Sequence, residues 1–378
     1  MVRLSGESQN RATKVSESLA SASRAVPPAR DEIEVSLLGP GFGECVVLHL
    51  GHGQWVVVDS CMADDGVTPA ALEYLATIGV DPRASVSHVV ISHADNDHIG
   101  GAAKLFSACE SAELVYSAAF ADRDVTAWIA AYSEVDPSQM ARASTEIAAI
   151  LESLPERGKS PVRAILDRTI IDNGLCKITA LSPNDQRIEA FIASVVAQLP
   201  KAGAPRRRVA ELTPNQACIA LLMETPFFTA ILGADLEEIP GKAWSHVIAH
   251  SITYGKAQPA VLIKVPHHGS NNADNDQLWQ NLEQPPIAIL ATFNKSGKLP
   301  TPTDVTRILG RTHSAYSSST FTRMGVPKSH DVDKVLKRLD VKRTRRFPLS
   351  GHIRVRISAG AKPVVELFGG AVHLSKVH

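Results

Sequence analysis

Apolar residues come in short runs broken by glycine, proline and polar turns, and the runs have the length of strands. Ile33–Leu38, Cys45–Leu50 and Trp55–Asp59 are β-type segments, with Gly39-Pro40-Gly41-Phe42-Gly43 between the first two and Gly51-His52-Gly53 between the next. Ala70–Ile78 reads as a helix, Val86–Ser92 as a further strand and Ala102–Ala108 as a second helix. From Asp124 to about Leu154 the chain is Ala-rich and helix-like. Strands follow near Cys176–Leu181 and Cys218–Glu224, with a polar-to-basic helical stretch between them, and then at Phe227–Leu232, Val261–Val265 and Ile287–Ala291. A basic helix, Val332–Leu339, and a hairpin of Ile353–Ile357 and Pro363–Leu367 close the pattern. Strands alternating with helices, opened by hairpins, predict an α/β chain built as a four-layer αββα sandwich.

Residues 1–30 are rich in Ser, Ala and Arg, lack an apolar period and end in Val26-Pro27-Pro28, which predicts a disordered N-terminal arm. Residues 31–378 then form one domain, with helical insertions at about 120–165 and 185–210. The composition, 44% hydrophobic with 23 prolines over 378 residues, excludes a collagen, a coiled coil and a wholly disordered chain. No apolar run reaches the roughly 18 residues of a membrane span, and no apolar secretory segment opens the chain, so a cytoplasmic protein with no membrane partner is expected. Five cysteines without a CxxC pair read as reduced, mostly buried thiols.

Charge adds something the pattern does not contain. Lys+Arg and Asp+Glu balance at 39 each, yet residues 306–356 hold thirteen Lys/Arg against three Asp, a local net of +10 that leaves −10 elsewhere. A block of that sign can hold a polyanion, or it can be a solvated helix face with strand edges.

The densest chemistry is His93-Ala94-Asp95-Asn96-Asp97-His98-Ile99-Gly100-Gly101, directly after the strand Val89–Ser92. Imidazole nitrogen and carboxylate oxygen both suit divalent transition metals, and on a strand-to-helix turn His93, Asp95, Asp97 and His98 can converge. HxDxDHxGG resembles the metal-binding motif of the metallo-β-lactamase superfamily, usually HxHxDH. With Asp95 in place of the second histidine it looks like the soluble hydrolase domain of ComEC-type DNA-uptake proteins. Leu37–Glu44 resembles that branch's opening strand and GxGD turn with Glu44 replacing Asp, and Val56–Asp59 resembles its vlIDtG strand. Thr213-Pro214-Asn215, Ile231–Asp235, Leu262–Asn271 (its LKVPHHGS) and Gly351–Val355 follow in order, so the resemblance covers most of residues 33–368.

That resemblance implies a metal-dependent hydrolase. Asp97, His98, Asp235 and His268 would make one site, with His267 supporting His268, although the motif does not settle which of the two histidines binds. No histidine lies between residues 99 and 245, so a second metal would have His93, Asp95, shared Asp235 and water or Asn215. One or two divalent ions are expected, Zn²⁺ or Mn²⁺, with Mg²⁺ a further option for an oxygen-rich set. The expected reaction is phosphodiester hydrolysis by a metal-activated water, oriented by Asp95 or Asp97, with His267 or a water protonating the leaving group. Lys264, Ser270 and Asn271 would meet phosphate oxygens, and Arg343, Arg345 and Arg346, with Arg206-Arg207-Arg208, would meet the backbone of a nucleic acid, DNA by family resemblance. A role as nuclease effector in bacterial antiphage defence, with protein partners, is one setting for such an enzyme. The competing readings are a small-molecule hydrolase of the same fold, acting on a lactone, thioester or cyclic nucleotide, and a regulatory or scaffold protein with a degenerate metal site.

Overall fold

The computed structural model describes residues 23–133, 142–199, 214–295, 297–321 and 350–378. Its first strands are β1 (Ile33–Gly39), β2 (Cys45–Leu50), β3 (Trp55–Val58), β4 (Val86–Ile91), β5 (Glu113–Ser117) and β6 (Val162–Ala164). There follow β7 (Thr169–Asp172), β8 (Lys177–Ala180), β9 (Leu221–Thr225), β10 (Phe228–Leu232), β11 (Leu262–Lys264), β12 (Ile287–Leu290) and β13 (Ala315–Ser317). Last come β14 (Gly351–Ile357), β15 (Val364–Gly369) and β16 (Val372–His373). They form two eight-stranded sheets, ordered β15-β14-β1-β2-β3-β4-β5-β6 and β16-β13-β12-β11-β10-β9-β8-β7. Each sheet joins an antiparallel half to a parallel run, β3 to β6 in one and β10 to β13 in the other.

Side-chain alternation explains the layering. On β2, Val46 and Leu48 enter a core shared with Ile178, Ala230 and Leu232 of the second sheet, whereas Val47 turns outward to Tyr74 and Leu105. On the second sheet, Leu222 and Ile231 turn outward to Trp244 and Ile308. The helices that meet the first sheet are α1 (Ala70–Thr77), α2 (Ala102–Ala108), α3 (Arg123–Ser133), α4 (Arg142–Arg157) and α5 (Asp185–Val196); α6 (Trp244–His250) and α7 (Pro302–Leu309) lie on the second. Helix, sheet, sheet, helix is the order that the sequence pattern predicts.

The stretches read as insertions supply α3, α4 and α5, whose apolar sides (Trp128, Ile147, Ile150, Phe191) extend the outer core of the first sheet. Residues 200–210 and Val332–Leu339 lie outside the described residues. So does 1–22 of the expected arm, while Ser23–Val26 is bound to the sheet. Arg354 Nη2 donates to Ser23 O at 2.9 Å and Arg356 Nη2 donates to Val26 O. Among the described residues no helix is long and apolar enough to cross a membrane. All five cysteines are buried and free.

Candidate metal centre

The chemistry-bearing turns all leave the carboxyl ends of strands. Asp59 follows β3, His93 to His98 follow β4, Asp235 follows β10, and His267 and His268 follow β11. In a mixed sandwich the loops beyond the carboxyl ends of parallel strands form a natural crevice. Two glycines let the turns close on one another. A Cβ on Gly43 would lie 3.1 Å from the Asp97 carbonyl, and Gly43 has φ +100°. Its successor Glu44 donates its N–H to that carbonyl at 2.9 Å. A Cβ on Gly233 would meet Pro266 at 2.5 Å and the Lys264 carbonyl at 2.9 Å. That contact lets His267 N–H bond to Ala234 O. His267 and His268 themselves hold left-handed φ values of 47° and 53°, a strained geometry kept by the surrounding contacts.

Three imidazoles are oriented by their Nδ1 atoms. His98 Nδ1 donates to Asp59 Oδ2 at 2.8 Å, and Asp59 also accepts from Ser92 N–H and Ser92 Oγ. Since Ser92 Oγ gives its proton to Asp59, it accepts from His93 Nδ1 at 2.9 Å. His268 Nδ1 donates to Ala291 O at 3.1 Å. Each ring therefore presents Nε2 to a common centre. There His98 Nε2 lies 3.3 Å from Asp235 Oδ1, His93 Nε2 lies 3.9 Å from Asp235 Oδ2, and His268 Nε2 lies 3.0 Å from Asp97 Oδ2. His267 Nε2 reaches the same Asp235 oxygen at 3.9 Å from the more open side, its Nδ1 held by Asn272 Oδ1 at 2.9 Å.

Burial makes the charges strong. His93 and His98 are fully buried, and Asp97, Asp235 and His268 are almost so. Burial pushes the His93 imidazole down to about 4, with the neighbouring His98 adding to the effect. Burial acts in the same direction on His98, yet the facing carboxylates of Asp235, Glu44 and Asp97 outweigh it and raise His98 well above its ordinary range. Burial would raise Asp97 and Asp235, but His98 and His268 hold both below the ordinary carboxylate range.

A divalent cation fits this donor set. His93 Nε2, His98 Nε2 and Asp235 Oδ1 are buried without a hydrogen-bond partner, and they point at one another. Orphaned lone pairs in a low-dielectric interior are costly unless a cation or protons stand between them. Imidazole nitrogen mixed with carboxylate oxygen is a set that Zn²⁺ and Mn²⁺ both accept. Glu44, His98, Asp235 and His268 bring ligand-type atoms within 4.8 Å of one another. Glu44, however, faces the Nδ1 atoms of His98 and His268, at 3.7 and 3.6 Å, behind the rings. It is ion-paired there with the Lys264 ammonium, which also donates to Ala234 O at 3.0 Å. Glu44 and Lys264 thus brace the floor, and the side chains that could hold an ion are His93, Asp97, His98, Asp235 and His268, with His267 at the rim.

The other expected residues fall around this centre. Asp95 is half-buried at the head of the turn, where its carbonyl accepts from His98 and Ile99 N–H, and burial, then the Asp97 charge, raises its carboxyl. Lys264, expected at a phosphate, is instead enclosed, 1% exposed and committed to Glu44. Ser270 and Asn271 lie on the turn after His268, with their carbonyls engaged by Ala273 and Asp274 N–H. Asn215, expected as an alternative to water on a second metal, donates its Nδ2 to Glu237 Oε1, which also accepts from Asn272, the residue that holds His267. Arg343, Arg345, Arg346 and Arg206-Arg207-Arg208 lie outside the described residues. Sequence reasoning did not assign roles to Asp59, Ser92, Glu237 or Asn272. The signal for Asp59 was an acidic residue ending an apolar strand; the others carried none.

The described part of the basic block is not free charge. Arg307 pairs with Asp274 and Asp304, Arg311 with Asp274 and Asp276, Arg354 with Glu366, and Arg356 with Glu34. Arg307 also donates to Gly269 O at 2.7 Å, so α7 holds the end of the strained histidine turn.

Residues 38–120 match the family model of the metallo-β-lactamase superfamily, a span that holds Glu44, Asp59 and the whole His93–His98 turn. No curated protein matches the chain in sequence. Among solved structures, the chain is similar to the metallo-β-lactamase fold protein YhfI from Bacillus subtilis, at 13% identity over 61% of this chain and 70% of that one, with a TM-score of 0.31. It is similar to the metallo-β-lactamase MIM-2 at 16% identity over 68% and 85%, TM-score 0.33. Zn²⁺-bound PqqB from Methylobacterium extorquens follows at 9% identity over 68% and 72%, TM-score 0.31. The two stacked sheets between helical layers, with the HxDxDH turn at the carboxyl end of β4, have the metallo-β-lactamase fold.

Proposed function

We propose that the chain is a metal-dependent hydrolase of a phosphodiester, with nucleic acid, DNA in the first place, as substrate. The observation that carries the hydrolase reading is the set of three buried imidazoles whose Nδ1 atoms are tied to the protein and whose Nε2 atoms face Asp97 and Asp235. His93, Asp97, His98, Asp235 and His268 would hold one or two divalent ions. Such an ion, when bound, lowers the pKa of water and offsets charge that develops on phosphoryl oxygens. Asp95, beside Asp97 on the same turn, orients the attacking water. His267 stands at the open side of Asp235 with Nδ1 anchored by Asn272, and it passes a proton to the leaving oxygen. Asn215 and Glu237 keep that anchor in register.

The phosphodiester part of the reading is supported by Leu262–Asn271 and the Asp95 variant of the motif, both of which resemble the ComEC-type hydrolase branch. The nine basic residues of the 306–356 block that lie outside the described region are the ones left to meet a polyanion. Incubating the full chain with single- and double-stranded DNA and RNA in Mn²⁺, Mg²⁺ or Zn²⁺ tests it. Cleavage that disappears in Asp97→Ala and His98→Ala is the expected result. Cleavage unchanged in both variants contradicts it, and so does turnover of lactones or thioesters with no cleavage of nucleic acid.

A further inference from the structure

Aromatic residues are few, 5% of the chain, and most are spent on the core. Of the described phenylalanines only Phe42, Phe227 and Phe293 are not buried, and two of these three stand together beside the metal centre. Phe293 follows β12; its ring centroid is 5.5 Å from that of His268 and 5.5 Å from that of Phe42, which belongs to the β1–β2 turn. The two loops are joined by Asn294 N–H donating to Gly41 O at 2.8 Å, and Phe293 and Leu299 exchange reciprocal backbone bonds. The Lys295 ammonium stands 3.6 Å over the Phe42 ring. Lys295 is exposed, and among the described residues no carboxylate lies within ion-pair distance of it, unlike the four paired arginines above.

Two partly exposed rings, tilted 56° to one another beside the metal centre, offer apolar π-surface, and Lys295, seated over one face of Phe42 with no carboxylate partner among the described residues, favours a negative charge at the edge of that surface. A nucleotide unit carries both features, a flat base and a phosphate. Stacking on such rings tolerates every base, since each has a π-face. We propose that Phe42, Phe293 and Lys295 form a substrate subsite that holds one nucleotide unit beside the metal centre, its base against the rings and its phosphate at Lys295. The subsite rests on the phosphodiesterase reading of that centre and names the part of the substrate that the metal ligands do not touch.

The test is equilibrium binding by the full chain of a labelled oligothymidylate and of thymidine monophosphate, over a series of salt concentrations, with bound metal measured in every sample. Phe293→Ala and Phe42→Ala are expected to weaken oligonucleotide binding roughly 5- to 150-fold each, the range for loss of one stacked base. Phe293→Trp is expected to retain affinity and Phe293→Leu to lose it, which separates stacking from filling of space. Lys295→Ala is expected to flatten the slope of log K against log salt by about 0.7, one phosphate contact on a single strand. Metal content stays at the wild-type level throughout. Comparable affinity for the monophosphate assigns the subsite to free nucleotides, and a large preference for the oligomer assigns it to a strand; either result supports it. Binding within twofold of wild type in both aromatic alanine variants, with cleavage of DNA retained, overturns the subsite and leaves the nuclease reading standing. Absence of both nucleotide binding and DNA cleavage in a metal-loaded wild-type chain overturns both.

Discussion

Two clusters of buried charge flank β1, one near its amino end and one beyond its carboxyl end. In the first, Glu34 is fully buried and accepts from Ser36 Oγ, Tyr74 OH and Arg356 Nε at 2.6 to 2.7 Å. Arg354 beside it is paired with Glu366 and bonded to carbonyls of the N-terminal segment. Apart from His352 Nδ1 and Arg24 Nε, this cluster is closed: its carboxylates have donors. In the second, carboxylates face imidazole lone pairs, and His93 Nε2, His98 Nε2 and Asp235 Oδ1 are left without partners. Similar burial and similar residue types thus give a self-sufficient network in one place and an incomplete one in the other. An interior that leaves convergent lone pairs open is arranged for a guest of opposite charge.

Substitutions can break each cluster separately, and the largest effect belongs to the open one. Asp235→Ala is expected to lower divalent-metal affinity about a thousandfold or more, roughly 4 kcal/mol, measured by competition with a chelating dye. Its thermal stability without metal should not fall in proportion, since a carboxylate lacking a full set of donors is removed. Glu34→Ala should behave in the opposite way. It strands the Arg356 guanidinium and Tyr74 hydroxyl and is expected to cost about 3–5 kcal/mol in denaturant unfolding, with metal affinity retained. An intermediate effect is expected at Arg307, which touches no ligand but holds Gly269 O and Asp274. Arg307→Ala should weaken metal binding roughly 10- to 100-fold, and Arg307→Lys should restore little, because an ammonium cannot make the forked contact.

The smallest effect at neutral pH sharpens the closed cluster. Burial, then the Glu34 charge, raises the Tyr74 phenol to about 12, against an ordinary value near 10. A folded-state value above the unfolded one contributes stability that is complete below pH 10 and lost as pH rises through 12. About 2–3 kcal/mol of the wild-type stability should therefore disappear across that interval, and Tyr74→Phe should lack this share of the decline in urea titrations.

How much of this could be read from the chain depends on whether the cause is local. The His93–His98 turn is legible because its ligands are packed into six residues after an apolar strand, and the layered fold is legible because β-period runs alternate with helical ones. His268 and Asp235 were found by resemblance, and the geometry places both Nε2 and carboxylate at the centre. The Asp59 role was not legible, because its bond to His98 spans 39 residues and depends on β3 and β4 being neighbours. Lys264 misled for the same reason: an isolated lysine near a phosphate-type motif does not reveal that Glu44 waits behind it. The basic block was a count of charges without their partners, and its four described arginines are spent on carboxylates that all lie outside residues 306–356, at Glu34, Asp274, Asp276, Asp304 and Glu366.

The central claim, that the open cluster is a cation site, is tested most directly by metal titration of the chelator-treated full chain, read by elemental analysis and by thermal unfolding. The account predicts uptake of one or two equivalents of Zn²⁺ or Mn²⁺ with a rise in Tm, both abolished in His98→Ala and Asp235→Ala and both intact in Glu34→Gln. Less than a tenth of an equivalent bound at saturating metal, with Tm unchanged, would contradict it.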